Sequence, residues 1–243
     1  MGTVVMTDAK AYMGQFDISG DLNKVDVSLS ADALEDTAFG ATFHTSKPGL
    51  RKAKFHQEGF VQFGATTTTV DGRIYSKFAV ADVPVSVAAE GGDAGEMALF
   101  MKALHSQYNI GAGVGDLLKF QVDAEASGTG VQLVKGVIME DGKTSRTIAG
   151  NTATRTLGAV SATQKIYAVL HLLAFSGTNV TFVLKSAVTD FATITDRITF
   201  TQNTAVGSEF PTPVAGSITD TFWRVYWTGT FTSFSAVVIA GIQ

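Results

Sequence analysis

Cysteine is absent from the sequence, which excludes disulfide bonds and thiolate chemistry and suits a reducing cytoplasm. Long apolar runs are absent too. The longest, residues 166–175, is interrupted by His171 and is far below the roughly 20 residues that a membrane helix needs. The first residues carry no positive leader followed by an apolar run, so we predict no secretory signal. We therefore expect no membrane partner.

Charged residues are scarce as well. Only 16% of the 243 residues are charged, and the net charge of −4 argues against a nucleic-acid-binding surface made by overall charge. So low a charge content favours an oligomer that buries additional surface, although a mostly buried β-rich core would have the same composition. The length suits one large domain or two small ones and is sufficient for a proper core.

Proline is rare, whereas glycine, threonine, valine and phenylalanine are abundant, which predicts many short strands joined by turns. Asp71-Gly72 predicts a tight hairpin turn between two of these strands. One amphipathic helix is predicted over residues 93–108, because Asp93 and Glu96 form a capping pair and an apolar stripe follows. The stripe consists of Met97, Phe100, Met101, Leu104 and Tyr108.

The fold class that these patterns predict is mainly β: a β-sandwich or barrel with one flanking α-helix, followed by a second β-sandwich. We expect the first domain at residues 1–146 and the second at residues 156–243. The small, polar residues 147–155 are the predicted linker. The second half has few charges and no helical pattern.

The charge pattern is most distinctive in residues 32–60. Five acids lie between positions 21 and 36 against one base, and four bases lie between positions 41 and 58 against one acid. The bases are Lys47, Arg51, Lys52 and Lys54. Pro48-Gly49 predicts a turn between two polar arms, because proline presets φ and glycine accepts a positive φ. Such a segment indicates a contact device rather than a catalytic one.

No group of residues predicts catalysis, a metal site or a cofactor, and we expect that the protein is not an enzyme. The four histidines have no metal-like spacing, and His171 is expected to be a hydrogen-bonded core residue. Residues 111–115 are rich in glycine, but they follow the predicted helix and precede a strand. They are therefore predicted to be a connector rather than a phosphate-binding loop.

A series of short motifs runs through most of the chain. The segment DTAFGATFHTSKPGLRKAKFHQEGF follows an acidic strand and contains a T-x-F-G element, a Pro-Gly-Leu turn and a Gly-Phe strand start. These elements lie at Thr37, Phe39, Gly40, Pro48, Gly49, Leu50, Gly59 and Phe60. Their order resembles the tail tube (major tail) proteins of long-tailed bacteriophages. The later segments GVGDLLKFQVDAEASG and TLGAVSATQKIYAVLH also resemble phage structural proteins.

The resemblance implies a structural virion protein of the tail, assembled in the host cytoplasm, that self-assembles into stacked rings around a channel for DNA. It implies a ring of six subunits, or of three subunits with two barrels each, with other tail proteins as partners. DNA would pass through without specific binding, which suits the net acidity. The family's loop that reaches the adjacent ring corresponds to residues 39–60. The residues implied in this contact are Phe39, Gly40, Lys47, Pro48, Gly49, Arg51, Lys52 and Lys54.

The acidic residues Asp32, Glu35 and Asp36 are candidate partners of this loop, because acidic and basic arms of identical subunits can pair in trans. Exposed single pairs contribute only about 0–1 kcal/mol each, so repetition around a ring and strand addition would have to supply the rest. Residues 156–243 are either a second barrel of the tube wall or a domain that decorates its outside. The absence of a second helix pattern favours decoration, and the low charge favours burial.

The alternative function is a carbohydrate- or receptor-binding phage tail protein that uses the aromatic second half. Phe222, Trp223, Tyr226 and Trp227 are the candidate sugar-stacking residues. In a strand the two tryptophans share one face and the other two rings share the opposite face, so they cannot form one platform. At least one of the two pairs is therefore expected in the core.

Overall fold

The computed structural model describes residues 8–37, 42–64, 66–128, 133–189 and 193–243. These residues form β-strands and one α-helix, besides a short 3-10 turn at Ser19–Asp21, which confirms the predicted mainly β class with a single helix. In chain order the elements are β1 Lys10–Met13, β2 Phe16–Asp17, β3 Leu22–Glu35, β4 Ser46–Phe60, α1 Val70–Lys77, β5 Val83–Ala88, β6 Met97–Gly111, β7 Lys119–Ala126, β8 Val134–Asp141, β9 Gly150–Asn151, β10 Arg155–Thr156, β11 Lys165–Ala187, β12 Thr195–Thr199, β13 Gly207–Glu209, β14 Val214–Ala215 and β15 Phe222–Ile242.

The described residues form two compact units. The first is drawn from residues 1–20, 82–102 and 134–243, and the second from residues 21–81 and 103–133. This division differs from the predicted boundary, because the predicted first domain contributes to both units.

The predicted linker at 147–155 belongs to the first unit. Its strand β9 pairs with β15, and the indole Nε1 of Trp227 donates a hydrogen bond to the Ile148 carbonyl at 2.9 Å. The small, polar residues of this segment therefore lie along the neighbouring strand, where their backbone groups find partners.

Two very long strands, β11 and β15, form the centre of the first unit. They pair antiparallel from Ile166 opposite Ile242 to Ala187 opposite Phe222, whereas the composition predicted short strands. Gly177 and Gly229 allow this continuity, with φ of 149° and 145°. A Cβ on Gly177 would lie 2.4 Å from the Cα of Phe231, so no other residue fits there. Bulges beside Gly177 bend the strands without ending their pairing.

The core of the first unit lies on one face of β11 and β15. Phe182, Trp223 and Phe234 are fully buried there, and the rings of Phe182 and Phe234 meet edge to face with centroids 5.2 Å apart. Trp227 joins the same cluster through an edge contact with Phe234 at 5.8 Å. The alternation of these side chains along each strand explains why the strands form.

His171, in β11, is a fully buried residue held by two hydrogen bonds. Its Nδ1 donates to the Gly14 carbonyl at 2.6 Å, so its Nε2 accepts from the Ser86 hydroxyl at 2.7 Å. Burial lowers the pKa of the imidazole to about 4 and keeps it neutral. The prediction of a hydrogen-bonded core histidine is confirmed. A hydroxyl paired with an imidazole is also the arrangement of a nucleophile and its base, but neither side chain has exposed surface that a substrate could reach.

The helix lies at α1 and not at residues 93–108, so the predicted position is wrong. Thr69 caps α1, because its side chain accepts a hydrogen bond from the backbone N–H of Gly72. Val70 and Ile74, one turn apart, are buried. Asp71-Gly72 therefore lies in the first turn of a helix and not, as predicted, in a hairpin turn. The local turn signal was outweighed by this cap and by burial of one helix face.

Residues 97–111 form strand β6 instead of a helix. The predicted capping contact exists, since Glu96 Oε2 accepts from the backbone N–H of Asp93 at 2.8 Å, but it closes a turn that leads into the strand. Alternate residues Ala98 and Phe100 are buried, as are Ala103 and His105 further along. The first part of β6 pairs with β8 and the second with β7. This pairing satisfies the backbone and overrides the helix-like spacing.

The second unit is an antiparallel sheet in the order β3-β4-β7 followed by residues 103–111 of β6. One face carries the buried side chains of Phe55, Phe120 and Val122. The helix α1 packs on this unit, where the Tyr108 hydroxyl donates to Asp71 Oδ1 at 2.7 Å. In the described part of the chain β3 pairs with β4 alone and is therefore an edge strand.

Replacing Ser86 with alanine removes the only side-chain donor to Nε2 of His171 in the described structure. We expect Ser86→Ala to lower the free energy of unfolding by about 1–3 kcal/mol, because a buried acceptor loses its partner. Urea denaturation measures this loss. The matched control is Ser106→Ala at an exposed position of β6, with an expected change within about 0.5 kcal/mol. Equal effects of the two substitutions would contradict the structural role given to Ser86.

Candidate assembly surface

The strands β3 and β4 form a hairpin that is paired more extensively with itself than with the rest of the sheet. β3 accompanies β4 from Gly59 to Ser46, whereas β7 accompanies β4 only from Phe60 to Lys54. We call residues 28–36 and 42–52 the hairpin arm. Every residue of the arm is exposed except Gly49, which is half-buried. The arm is thus a two-stranded ribbon with both faces open in the described structure.

The turn of the arm does not lie at Pro48-Gly49, where it was predicted. Pro48 lies within β4 opposite Ala33, and the chain reverses between Asp36 and Thr45. Proline is tolerated here because this part of β4 has a neighbouring strand on one side only. Its missing N–H therefore costs no hydrogen bond to a strand on the other side. Two of the predicted contact residues, Phe39 and Gly40, lie outside the described residues.

Gly49 fits a close approach rather than a turn. A Cβ at this position would lie 3.0 Å from the Cβ of Asp32 on the opposite strand. The pairing register shifts between Ala31 and Ala33, beside this contact. A β-bulge of this kind adds local twist to the ribbon. The Pro-Gly pair therefore shapes the middle of the arm and not its tip.

Large apolar side chains are exposed along the arm. They are Leu34 and Phe43 near its tip, 58% and 81% exposed, with Leu29 and Leu50 further along, 63% and 77% exposed. Removing such a side chain from water stabilises a contact by about 1.5–3 kcal/mol. A two-stranded ribbon is at best marginally stable alone in water. These side chains lie on both faces of the ribbon, so a second protein would have to cover both faces to remove them from water.

The charged groups at the tip pair within the arm. The Lys47 ammonium lies 2.5 Å from Asp36 Oδ2, and His44 Nδ1 lies 2.7 Å from Glu35 Oε1. The hydrogen bond with His44, and to a lesser extent that with Thr37, lowers the pKa of the Glu35 carboxyl. Two of the acids predicted as partners in trans therefore have partners in cis. The third, Asp32, is exposed beside Gly49.

Three of the predicted basic residues come together where β7 ends. Arg51, Lys52 and Lys54 line a surface cavity of about 310 Å³. The other lining residues are Ser28, Ser30, Ala53, Glu125 and Ala126. Glu125 contributes a negative charge to the same lining, and Lys54 is paired with Asp123.

A network of charged side chains joins the root of the arm to β7. Asp123 accepts from Lys54 Nζ at 2.7 Å and from His56 Nδ1 at 2.6 Å, while His56 Nε2 lies 2.9 Å from Glu58 Oε1. Lys24 on β3 completes the network with Glu58 at 3.1 Å. These contacts cross three strands and fix the arm to the sheet at the point where β7 stops accompanying it.

His56 is the titrating centre of this network. Because both of its ring nitrogens face carboxylates, both donate, and the imidazolium form is favoured. The hydrogen bond to Asp123, followed by that to Glu58, raises the pKa of His56 against the opposing effect of burial. Burial alone would raise the pKa of Asp123, but hydrogen bonds from Lys54 and His56 outweigh it and lower that pKa.

A second exposed apolar patch lies at the other end of the same sheet. We call it the base patch; its residues are Phe60, Phe63, Val114 and Leu117, which are between 40% and 110% exposed. The loop from β6 to β7 supplies Val114 and Leu117, and this loop is the connector predicted from its glycines. A cavity of about 530 Å³ opens beside Phe60 and Leu117, with Asp116 and Lys119 among its lining residues. The sequence signal that could have located the patch is Val114 and Leu117 in a glycine-rich loop.

The described residues offer little for other classes of function. No cluster of three or more metal-ligating side chains occurs among them, and within them no helix has the length and apolar character to cross a bilayer. The two tryptophans of the aromatic cluster, Trp223 and Trp227, are core residues, and Phe222 and Tyr226 are half-buried. The predicted burial of one aromatic pair is confirmed. Neither tryptophan ring is therefore exposed for stacking on a sugar.

No family model and no curated protein matches the chain. Among solved structures, a chain from a native gene transfer agent virion is similar over 50% of this chain and 93% of its own length, with 12% identity and a TM-score of 0.38. A chain of the PVC extracellular contractile injection system sheath-tube complex is similar over 54% and 93%, with 13% identity and a TM-score of 0.41. The SPP1 Dit protein, a phage adsorption-apparatus hub, is similar over 97% and 99%, with 12% identity and a TM-score of 0.36. Similarities this weak identify neither a family nor a function.

The network around His56 predicts a pH-dependent contribution to stability. A pKa raised in the folded state gives stability that is complete below the unfolded value of about 6.5 and is lost as pH rises through the folded pKa. We therefore expect the stability difference between the native protein and His56→Gln to be largest at about pH 6 and to shrink at higher pH.

Urea denaturation across a pH series measures this difference. The control is His44→Gln, since the His44 side chain is 85% exposed and its pair with Glu35 lies in water. The control should change stability little at any pH. A loss for His56→Gln that stays constant from pH 6 to alkaline pH would show that the two carboxylates do not stabilise a charged imidazole.

Proposed function

We propose that the protein is a structural, non-enzymatic subunit that assembles with copies of itself through the hairpin arm. The observation that carries this proposal is the exposure of the arm on both faces, with Leu29, Leu34, Phe43 and Leu50 open to solvent. Such a ribbon costs conformational entropy to order and buries little surface within its own unit. A neighbouring subunit that covers these side chains would offset that cost.

The magnitudes favour apolar contacts as the main source of affinity. Each exposed ion pair contributes about 0–1 kcal/mol, and the pairs Asp36–Lys47 and Glu35–His44 already exist within one arm. A leucine or phenylalanine that becomes buried contributes about 1.5–3 kcal/mol. In this proposal the charges orient the arm, and the apolar side chains hold it in place.

We further propose that this assembly is a tail tube of stacked rings around a channel for DNA, in the tail of a virion. Support for this form comes from the sequence resemblance in residues 37–60 and from the net charge of −4, which suits passage of DNA without specific binding. The ring contains six subunits or three double-barrel subunits, and other tail proteins bind its ends. The arm contacts the adjacent ring, with Lys47, Arg51 and Lys52 among the residues at that contact.

Carbohydrate or receptor binding is the weaker proposal, and no described feature favours it. Stacking on a sugar needs exposed aromatic rings. Trp223 has no exposed surface and Trp227 is 4% exposed. The half-buried Phe222 and Tyr226 lie in β15, where their strand is paired with β11, β9 and β10.

A double substitution in the arm tests the assembly proposal. We expect Leu34→Ser combined with Leu50→Ser to convert an assembled protein into smaller species and to lower the association constant by at least about a hundredfold, because two apolar contacts are lost. Sedimentation velocity measures the change in size, and negative-stain electron microscopy of the unaltered protein should show rings or tubes.

The matched control replaces two exposed valines of the first unit, Val188→Ser with Val206→Ser, which are 58% and 45% exposed. This control should assemble as the unaltered protein does. Circular dichroism should show that the arm variant keeps its strand content and melting temperature, because both leucines are exposed in the single subunit. A protein that stays monomeric without any substitution, or an arm variant that assembles normally, would sink the proposal.

A further inference from the structure

His105, in β6 of the second unit, is a buried titratable residue that the proposed assembly does not use. It has no exposed surface, and neither of its ring nitrogens has a hydrogen-bond partner in the described part of the chain. The other fully buried histidine, His171, has both ring nitrogens hydrogen-bonded. Buried polar groups are nearly always paired in this way, so the imidazole of His105 is exceptional.

The segment that follows α1 is bound to the same residue. The backbone N–H of Ala79 donates to the His105 carbonyl at 3.1 Å, and Phe78 forms an isolated β-bridge with His105. Ala79 has a φ of 58°, a left-handed conformation that costs free energy for a residue other than glycine. The end of α1 is therefore held against β6 at His105, in a strained backbone.

The helix α1 has few other attachments. It has eight residues, of which Val70 and Ile74 are buried, and Asp71 accepts a hydrogen bond from the Tyr108 hydroxyl at 2.7 Å. A helix of this length is not stable by itself in water. Elements with few buried apolar side chains open locally at a low cost in free energy. A small change in the contacts of α1 is therefore sufficient to change how often it opens.

We propose that His105 is an acid-sensitive switch: α1 and residues 78–81 stay on the sheet while its imidazole is neutral, and protonation of the imidazole releases them. In the closed form an imidazolium has no hydrogen-bond acceptor at either nitrogen. Lys77, the last residue of α1, adds a charge of the same sign. Opening brings the ring into water, which solvates the charge. The switch acts within one subunit and goes beyond the proposed assembly.

The strands around His105 present no charge to its ring. Ala124 on β7 lies opposite His105, and Phe55 on β4 lies opposite Ala124, so the side chains in this row are uncharged. Charged residues flank this row, but side chains alternate along a strand and these point to the opposite face. They are Lys54, His56, Asp123 and Glu125. The one other charged side chain of β6 is Lys102, a further base.

The carboxylate that α1 carries is already in use. Asp71, in the first turn, binds the Tyr108 hydroxyl. Arg73 is directed to the preceding loop, where its Nε donates to the Thr67 carbonyl at 3.0 Å. Residues 78–81 contain no ionisable side chain. Among the charged groups of α1, Lys77 is thus the one that acts on the imidazole, and it opposes protonation.

The direction of the pH dependence follows from these surroundings. Burial, followed by the charge of Lys77, lowers the pKa of His105 to about 4, whereas an exposed histidine has a pKa of about 6.5. Between these values the open form binds more protons than the closed form. The closed form is therefore fully stable above about pH 6.5 and loses stability as the pH falls towards 4. The ratio of open to closed subunits is expected to rise at least about tenfold from pH 7.5 to pH 5.

Amide hydrogen exchange of the full chain, read by mass spectrometry at pH 7.5 and pH 5, tests the switch. After correction for the pH dependence of intrinsic exchange, peptides from residues 70–81 should exchange at least about tenfold faster at pH 5, and peptides from β11 and β15 should not. His105→Leu cannot be protonated and should abolish the rise. The matched control, His44→Gln, replaces a histidine whose side chain is 85% exposed and should keep it.

Two results would overturn the inference: no rise in the unaltered protein, or an equal rise in His105→Leu. If His105→Leu does not fold, exchange of the imidazole C2 proton in the unaltered protein gives the pKa of His105 directly. A midpoint below about pH 6, together with the rise in residues 70–81, supports the switch. A midpoint at or above that value would show that the buried ring keeps its ordinary pKa and would contradict it. None of these measurements requires the protein to assemble, so failure of the proposed assembly is a separate result.

Discussion

The unequal pairing of β4 is the constraint on which the second unit depends. Over residues 54–60 this strand has neighbours on both sides, β3 and β7, and its inward side chains are buried. Over residues 46–52 its partner among the described residues is β3 alone, and the ribbon opens to water on both faces. Backbone pairing continues where packing stops. The same strand therefore supplies both a rigid root and an exposed arm.

The charged network at the root explains how an exposed ribbon can keep a defined direction. Lys54, His56 and Asp123 lie where β7 stops accompanying the hairpin, and Asp123 is largely removed from solvent, with 11% of its side chain exposed. Partly buried, multiply hydrogen-bonded ions hold their geometry better than single surface pairs. The network contributes little to binding another subunit. Its contacts instead hold the root of the arm against the sheet of its own unit.

Local patterns predicted the class of the fold better than its elements. The mainly β class, the buried His171 and the glycine-rich connector follow from composition and short-range spacing, and the structure has each of them. The helix was misplaced because the spacing of Phe100, Met101 and Leu104 fits a helical stripe as well as it fits β6, and only pairing with distant strands decides between them. The prediction of a turn at Pro48-Gly49 was wrong for the same reason. Its residues are common in turns, but the register with Ala33 is set by the whole hairpin.

The candidate surface shows the same division between what sequence and structure contribute. The clustering of charge can be read from the sequence, and it indicated the segment that forms the arm in the structure. The exposure of Leu34 and Leu50 is not visible there, because leucine in an alternating strand predicts a buried face. Their exposure follows from the length of β3 and β4 beyond the reach of β7. The base patch depends on a loop from a different part of the chain that meets Phe60 only after the sheet forms. The apolar side chains that the fold leaves uncovered at both ends of β4 are therefore a feature that only the paired strands reveal.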